Sequence, residues 1–173
     1  PWTYIELPYI MKNRWIESEA VASESEDIDL GLRVYTSQLL GADADLVLHG
    51  GGNTSVKGEL QNVFGETEPV LFVKGSGWDL RTIEAAGFSG VKMDHLLRLG
   101  KLDSLSDSEM MRQLRLALLD PTAPTPSVEA ILHALIPHKY VDHSHADAVV
   151  AISNSPDGEA MLEEMYGDEV LIL

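Results

Sequence analysis

No cysteine occurs among the 173 residues, which excludes a disulfide framework and a thiolate metal site, so any bound metal must rely on His, Asp and Glu. Basic residues are scarce. Against 28 Asp and Glu stand 12 Lys and Arg, and the formal net charge of −16 repels nucleic-acid phosphates and an anionic membrane leaflet. Neither nucleic acid nor membrane is an expected partner. No run of about 18 apolar residues is present, and the opening PWTYIELPYIMKNRW lacks a basic segment followed by a long apolar stretch. No targeting or spanning segment is visible, and the cytoplasm is the expected compartment. What the chain does have is 45% hydrophobic content in a length that suits one domain with one sizeable core.

Residues 1–28 include the acidic, Ser-rich ESEAVASESEDID, which has few large apolar groups and reads as a flexible lead-in to a domain over 29–173. Ile28, Leu32, Tyr35 and Leu39 recur at helical spacing, with Asp27 to cap the helix and Gly41 to end it. DLVLHGGGNTSVKGEL reads as two short strands around a glycine loop, and PVLFVKGSGW as a third strand. Ser106 and Glu109 form a capping box, and Met110, Leu114, Ala117 and Leu118 give that helix an apolar face to about Leu119. After the loop DPTAPTP, Ser127 can cap a helix whose apolar face is Val128, Ile131, Leu132 and Leu135, stopped by Pro137. KYVDHSHA then reads as a strand, followed by helices in AVVAIS and DGEAMLEEMYG and a terminal strand in DEVLIL. The alternation lacks a strict βαβ rhythm and predicts an α/β sandwich with a partly antiparallel sheet. An apolar strand at the very end wants a covering neighbour, and the chain reads as a piece of a longer protein.

Three features carry chemistry. On a strand, side chains at i and i+2 share a face, so His143 and His145 can chelate one divalent cation. Two buried neutral histidines are the alternative, at twice the desolvation cost. HSHAD also matches the start of the H-x-H-x-D-H pattern of metallo-β-lactamase-like hydrolases, but Ala148 stands where that pattern has its third histidine. In HGGGNTS, three glycines expose backbone N–H groups beside the Asn53 amide, and KGSG repeats the theme with a cation, Lys74. An anion pocket and a pair of plain turns are both compatible with these loops. Glu129, in the first turn of the Ser127 helix, becomes a general-base candidate if it lies beside a metal, with His133 one turn further on.

As an ordered set from about Asp29 onward, LHGGGNTSVKG, LFVKGSGWDL and PSVEAILHALIPHKYVDHSHADAV resemble the class II aldolase/adducin family. The wording is nearest to the aldolase half of bifunctional rhamnulose-1-phosphate aldolase/short-chain dehydrogenase proteins, which implies a fused or separate dehydrogenase domain in a full-length protein. The resemblance implies a three-layer α/β/α sandwich with a mixed central sheet. It further implies that Gly52, Asn53, Ser76, Gly77 and Ser127 hold a sugar phosphate, that Glu129 is the acid/base, and that His143 and His145 bind zinc, with Glu129 as a further ligand. Val128 stands where the phosphate aldolases have a second serine. The third zinc imidazole and a proton-donating tyrosine would fall beyond Leu173. A zinc-dependent lyase, assembled as a homo-oligomer, is the expected function; an adducin-like binding module is the alternative from a different class.

Overall fold

The computed structural model describes residues 12–22 and 28–172. Strands β1 (Asn53–Gln61), β2 (Thr67–Lys74), β3 (Phe88–Lys92) and β4 (Tyr140–His143) form one sheet in the order β3-β2-β1-β4. Around it lie α1 (Glu17–Ala22), α2 (Ile28–Gly41), α3 (Met93–Leu99), α4 (Asp107–Leu116), α5 (Ala130–Leu135), α6 (Asp147–Ser153) and α7 (Gly158–Tyr166). All three strand pairs are antiparallel. The sheet is therefore wholly antiparallel, where a mixed one was expected. The reason lies at the end of α5. Glu129, just before that helix, reaches Asn53 at the start of β1, and Lys57 of β1 donates to the carbonyls of Ile136 and His138 just after it. The helix thus runs alongside β1, and the tight turn through residues 136–139 sends β4 back in the opposite direction.

Period-two alternation in β2 builds a core on each face. Leu71 and Val73 join Val91, Leu96, Leu114 and Ala130 beneath α3, α4 and α5. Val70 and Phe72 turn the other way, to Val56, Leu80, Ile83 and Phe88, with Leu30, Val34 and Leu40 of α2 packed on them. Helices thus cover both faces, and each fully buried leucine contributes about 1.5–3 kcal/mol. Ser106 caps α4 by accepting from the Glu109 amide at 3.3 Å, as the capping box predicts.

The β1–β4 half of the sheet is held differently. Asn53, Ser55 and Lys57 share one face of β1 and meet, in register, Glu129, His133 and the carbonyls after α5. This polar stripe overturns the expected orientation of α5. Of the expected apolar face, Ile131 packs against the core, but Val128, Leu132 and Leu135 are exposed, whereas Ala130, His133 and Ala134 are buried. Small alanines let the helix approach the strand closely, and His133 supplies the partner that Ser55 needs once removed from water. The helix also starts later than the serine predicts, at Ala130, with Ser127 accepting from the Glu129 amide at 3.3 Å.

Other expectations shift as well. Residues 45–52 are turns and irregular chain, with no strand before the glycine loop, and β4 stops at His143. In DEVLIL, Asp168 and Glu169 end a 3-10 turn (Gly167–Glu169), and no strand follows among the described residues. Strand β3 and helix α3 escaped the sequence reading, because FSGVK is short and interrupted by Gly90. Within the lead-in, Trp15 packs edge-on against Tyr35 at 5.3 Å and the Ile16 amide donates to the Tyr35 hydroxyl at 2.9 Å. The expected cap Asp27 lies outside the described residues, as do residues 1–11 and 23–26 of the lead-in.

Candidate functional site

Five separate stretches of chain converge on one cleft of 270 Å³, lined by the glycine loop, Lys74, Ser76, Gly77, Met111, Ser127, Val128, Glu129, His143 and His145. Gly52 is required at its position twice over. Its φ of +68° is in the left-handed region, and a Cβ there would come within 2.9 Å of the His143 carbonyl oxygen. Gly77, at φ +86°, turns the chain out of β2, and the Ser76 amide is tied to the Thr125 carbonyl at 2.8 Å. The Ser127 amide donates in turn to the Lys74 carbonyl at 3.3 Å, so the proline-rich loop lies against the end of β2 and delivers Ser127 to the same cleft.

Glu129 is the hub. One carboxylate oxygen accepts from the Asn53 amide at 2.8 Å and from the Ser127 hydroxyl at 3.3 Å, and the other lies 2.9 Å from His143 Nδ1. Burial alone would raise its pKa; the hydrogen bonds from Asn53 and His143, with the neighbouring imidazole charges, outweigh burial and bring it below the ordinary carboxylate value. It is therefore ionised near neutrality. Asn53 is 1% exposed, and its Oδ1 has no hydrogen-bond partner. Here the amide holds the carboxylate with its N–H group and leaves its oxygen a buried acceptor without a partner.

His143 and His145 come together even though the strand ends between them. Their ring centroids are 4.8 Å apart, and the second is held by its amide donating to the Leu46 carbonyl at 3.0 Å. With Nδ1–H given to Glu129, a neutral His143 keeps its Nε2 lone pair free, which is the tautomer that a metal-binding imidazole needs. The donor chemistry fits a divalent cation as far as two imidazoles go. No group of three or more His, Asp or Glu arranged to hold a metal occurs among the described residues.

Lys74 is the functional candidate that the sequence left undecided between cleft and solvent. It is 5% exposed, its Nζ donates to the Gly50 carbonyl at 3.1 Å, and no carboxylate forms an ion pair with it among the described residues. Burial lowers its pKa, and Glu129 and Asp79 oppose that shift. A buried ammonium beside two serines and glycine turns has the chemistry that suits an anion. Its signal in the sequence was present, a lysine directly before a Gly-Ser-Gly turn, but β2 alone does not say which face it takes. The remaining histidines are elsewhere: His95 pairs with Gln113 at 2.9 Å, and His49 has φ +52° beside the glycine loop.

Residues 33–172 match the family described as Class II Aldolase and Adducin N-terminal domain. The chain is 39% identical over 159 residues to the uncharacterized oxidoreductase YuxG of Bacillus subtilis, covering 92% of this chain and 23% of that protein. It thus spans less than a quarter of that relative's length. It also superposes on the N-terminal class II aldolase domain of a conserved protein from Thermoplasma acidophilum with a TM-score of 0.80 and 42% identity, over 92% of this chain and 71% of that one. The hydrolase pattern in HSHAD finds no support in these likenesses. The match over residues 33–172 and the shared fold at 42% identity show the family to which the chain belongs: the class II aldolase and adducin N-terminal domains.

Proposed function

We propose that this domain is the aldolase part of a class II, zinc-dependent lyase that cleaves a ketose 1-phosphate, of the rhamnulose or fuculose type, to dihydroxyacetone phosphate and an aldehyde. The observation that carries the reading is the meeting in one cleft of an ionised Glu129, two imidazoles and a buried Lys74 with no ion-pair partner among the described residues. An assembly module would have no use for a carboxylate held in place by three side chains. The 23% coverage of YuxG, itself named an oxidoreductase, supports a dehydrogenase domain in the complete protein.

Lys74, Ser76, Ser127 and the N–H groups of the glycine turns would hold the phosphate, fixing its distance from the histidines and converting binding into orientation. A cation held by His143 and His145 supplies Lewis-acid polarisation of the substrate carbonyl. Cleavage would break the C3–C4 bond: the C4 hydroxyl proton passes to solvent water as the aldehyde forms, and the electron pair stays with C3. Glu129, having taken up a proton from solvent, gives it to C3, and in the condensation direction its ionised form removes that proton.

The deciding experiment is a coupled assay for dihydroxyacetone phosphate, run with added zinc on both sugar phosphates, using this chain and the complete gene product. Activity on either supports the reading; none from either protein moves it to a binding module. In parallel, His143→Ala/His145→Ala is expected to abolish specific zinc uptake, and equal uptake by mutant and parent would refute the metal site. Lys74→Met should weaken binding of inorganic phosphate by about tenfold or more, as expected for loss of a charge-assisted bond. Calorimetric titration checks this, and an unchanged affinity would remove Lys74 from the site.

A further inference from the structure

Strand β4 is four residues long and lies at the sheet edge, with β1 as its strand neighbour. Backbone pairing over so short a length fixes it weakly. On the face away from the cleft, however, α2 presents Asp29, Arg33 and Ser37 at four-residue intervals, which is one helical face. The Tyr140 hydroxyl donates to Asp29 Oδ1 at 3.1 Å, Arg33 Nη2 lies 2.6 Å from Asp142 Oδ1, and Ser37 Oγ lies 2.8 Å from Thr54 Oγ1. Arg33 is 1% exposed. Its Nε donates to Ser37 at 3.1 Å, and its guanidinium sits 5.7 Å from the centre of the Tyr140 ring. Asp142 and His143 are consecutive and leave the strand on opposite faces, so the pull on Asp142 fixes the rotation of β4 about its own axis. That rotation decides where the imidazole points.

We infer that Arg33 is a positioning residue for the histidine pair: by clamping Asp142 from behind the sheet, it sets the aim of His143 and the path of the chain to His145. The zinc arm of the test rests on the metal reading above; the histidine spectrum does not. A purely electrostatic role has the opposite sign, since removing the Arg33 cation would by itself tighten binding of a divalent cation. Positioning predicts weaker binding instead.

The test measures zinc affinity by chelator competition, and the imidazole 15N–1H spectrum of the metal-free protein, for the parent, Arg33→Lys, Arg33→Met and Asp142→Asn. Arg33→Lys keeps the charge but loses the planar fork; Asp142→Asn changes only the half-exposed partner and folds even if Arg33→Met does not. Zinc affinity should fall about tenfold in Arg33→Lys and also in Arg33→Met, as for other residues that orient a metal-binding histidine. The His143 Nδ1–H signal, held by Glu129 in the parent, should shift and broaden in all three variants. Leu96→Ala, a core variant remote from β4, should lower stability and move neither readout. A parent that binds no zinc defeats the metal reading, and the histidine spectrum then decides this inference alone. Histidine signals in Arg33→Lys and Asp142→Asn identical to the parent, or tighter zinc binding in Arg33→Met, would overturn it.

Discussion

Glu129→Gln is expected to slow exchange of the C3 proton of dihydroxyacetone phosphate by about 10³-fold, while phosphate affinity changes by less than about twofold. The substitution is shape-preserving. Its amide oxygen can accept from His143 Nδ1–H, which keeps the tautomer that a metal needs, and its N–H group can donate to Asn53 Oδ1 once that amide turns over and to the Ser127 hydroxyl oxygen, so all three partners keep a group to face. What is lost is the ability to take a proton, because a carboxamide is not a base in the neutral range. Exchange followed by NMR in heavy water, with zinc present, isolates this step from the rest of the reaction. An undiminished exchange rate in the glutamine variant would remove Glu129 from the chemistry and leave it as the group that orients His143.

The second large effect is on stability and comes from His133. This imidazole is 1% exposed, with Nδ1 2.8 Å from the Ser55 hydroxyl, and burial pushes its pKa from the ordinary 6.5 down to about 4. Glu129 and Asp142 pull the value up, and His143 and Lys57 push it down further. The folded protein therefore keeps His133 neutral where the unfolded chain would protonate it. Stability from this group is whole above about pH 6.5 and is lost as the pH falls toward 4, on the order of 3 kcal/mol in total. Urea unfolding of the parent and of His133→Asn at pH 7.5, 6 and 4.5 checks the sign. The variant should be the less stable of the two at pH 7.5, and the gap should narrow by about 2 kcal/mol at pH 4.5. A gap of constant size across that range would show that His133 does not carry the acid sensitivity.

Parts of this architecture are written in local sequence. The Ser106 cap, the apolar spacing of α4 and the alternation in PVLFVK each depend on neighbours within a few residues and are where they were expected, although α4 ends at Leu116 and not near Leu119. The cleft residues were legible too, because glycines next to polar groups at strand ends are locally unusual. The face of α5 was not legible. Apolar periodicity points to Val128, Ile131, Leu132 and Leu135, of which Ile131 does pack on the core, yet the strand offers Asn53, Ser55 and Lys57, and partner polarity decided in favour of Ala130, His133 and Ala134. The direction of β4 escaped for the same reason, since it is set by Lys57 holding the chain after α5, 79 and 81 residues away in sequence.

By itself, then, the sequence determined which side chains are available for chemistry, the exclusion of thiolate ligands, and the short-range caps and turns that present Ser76, Gly77 and Glu129 at element ends. Those depend on composition and on contacts a few residues apart, where chain connectivity leaves little choice. Tertiary structure alone decided the wholly antiparallel sheet, the burial of Lys74 without an ionic partner, the grip of Asn53 and His143 on Glu129, and the clamp of Arg33 on Asp142. Each of these joins residues far apart in the chain, and burying a polar group is tolerable only when a partner from elsewhere arrives to meet it.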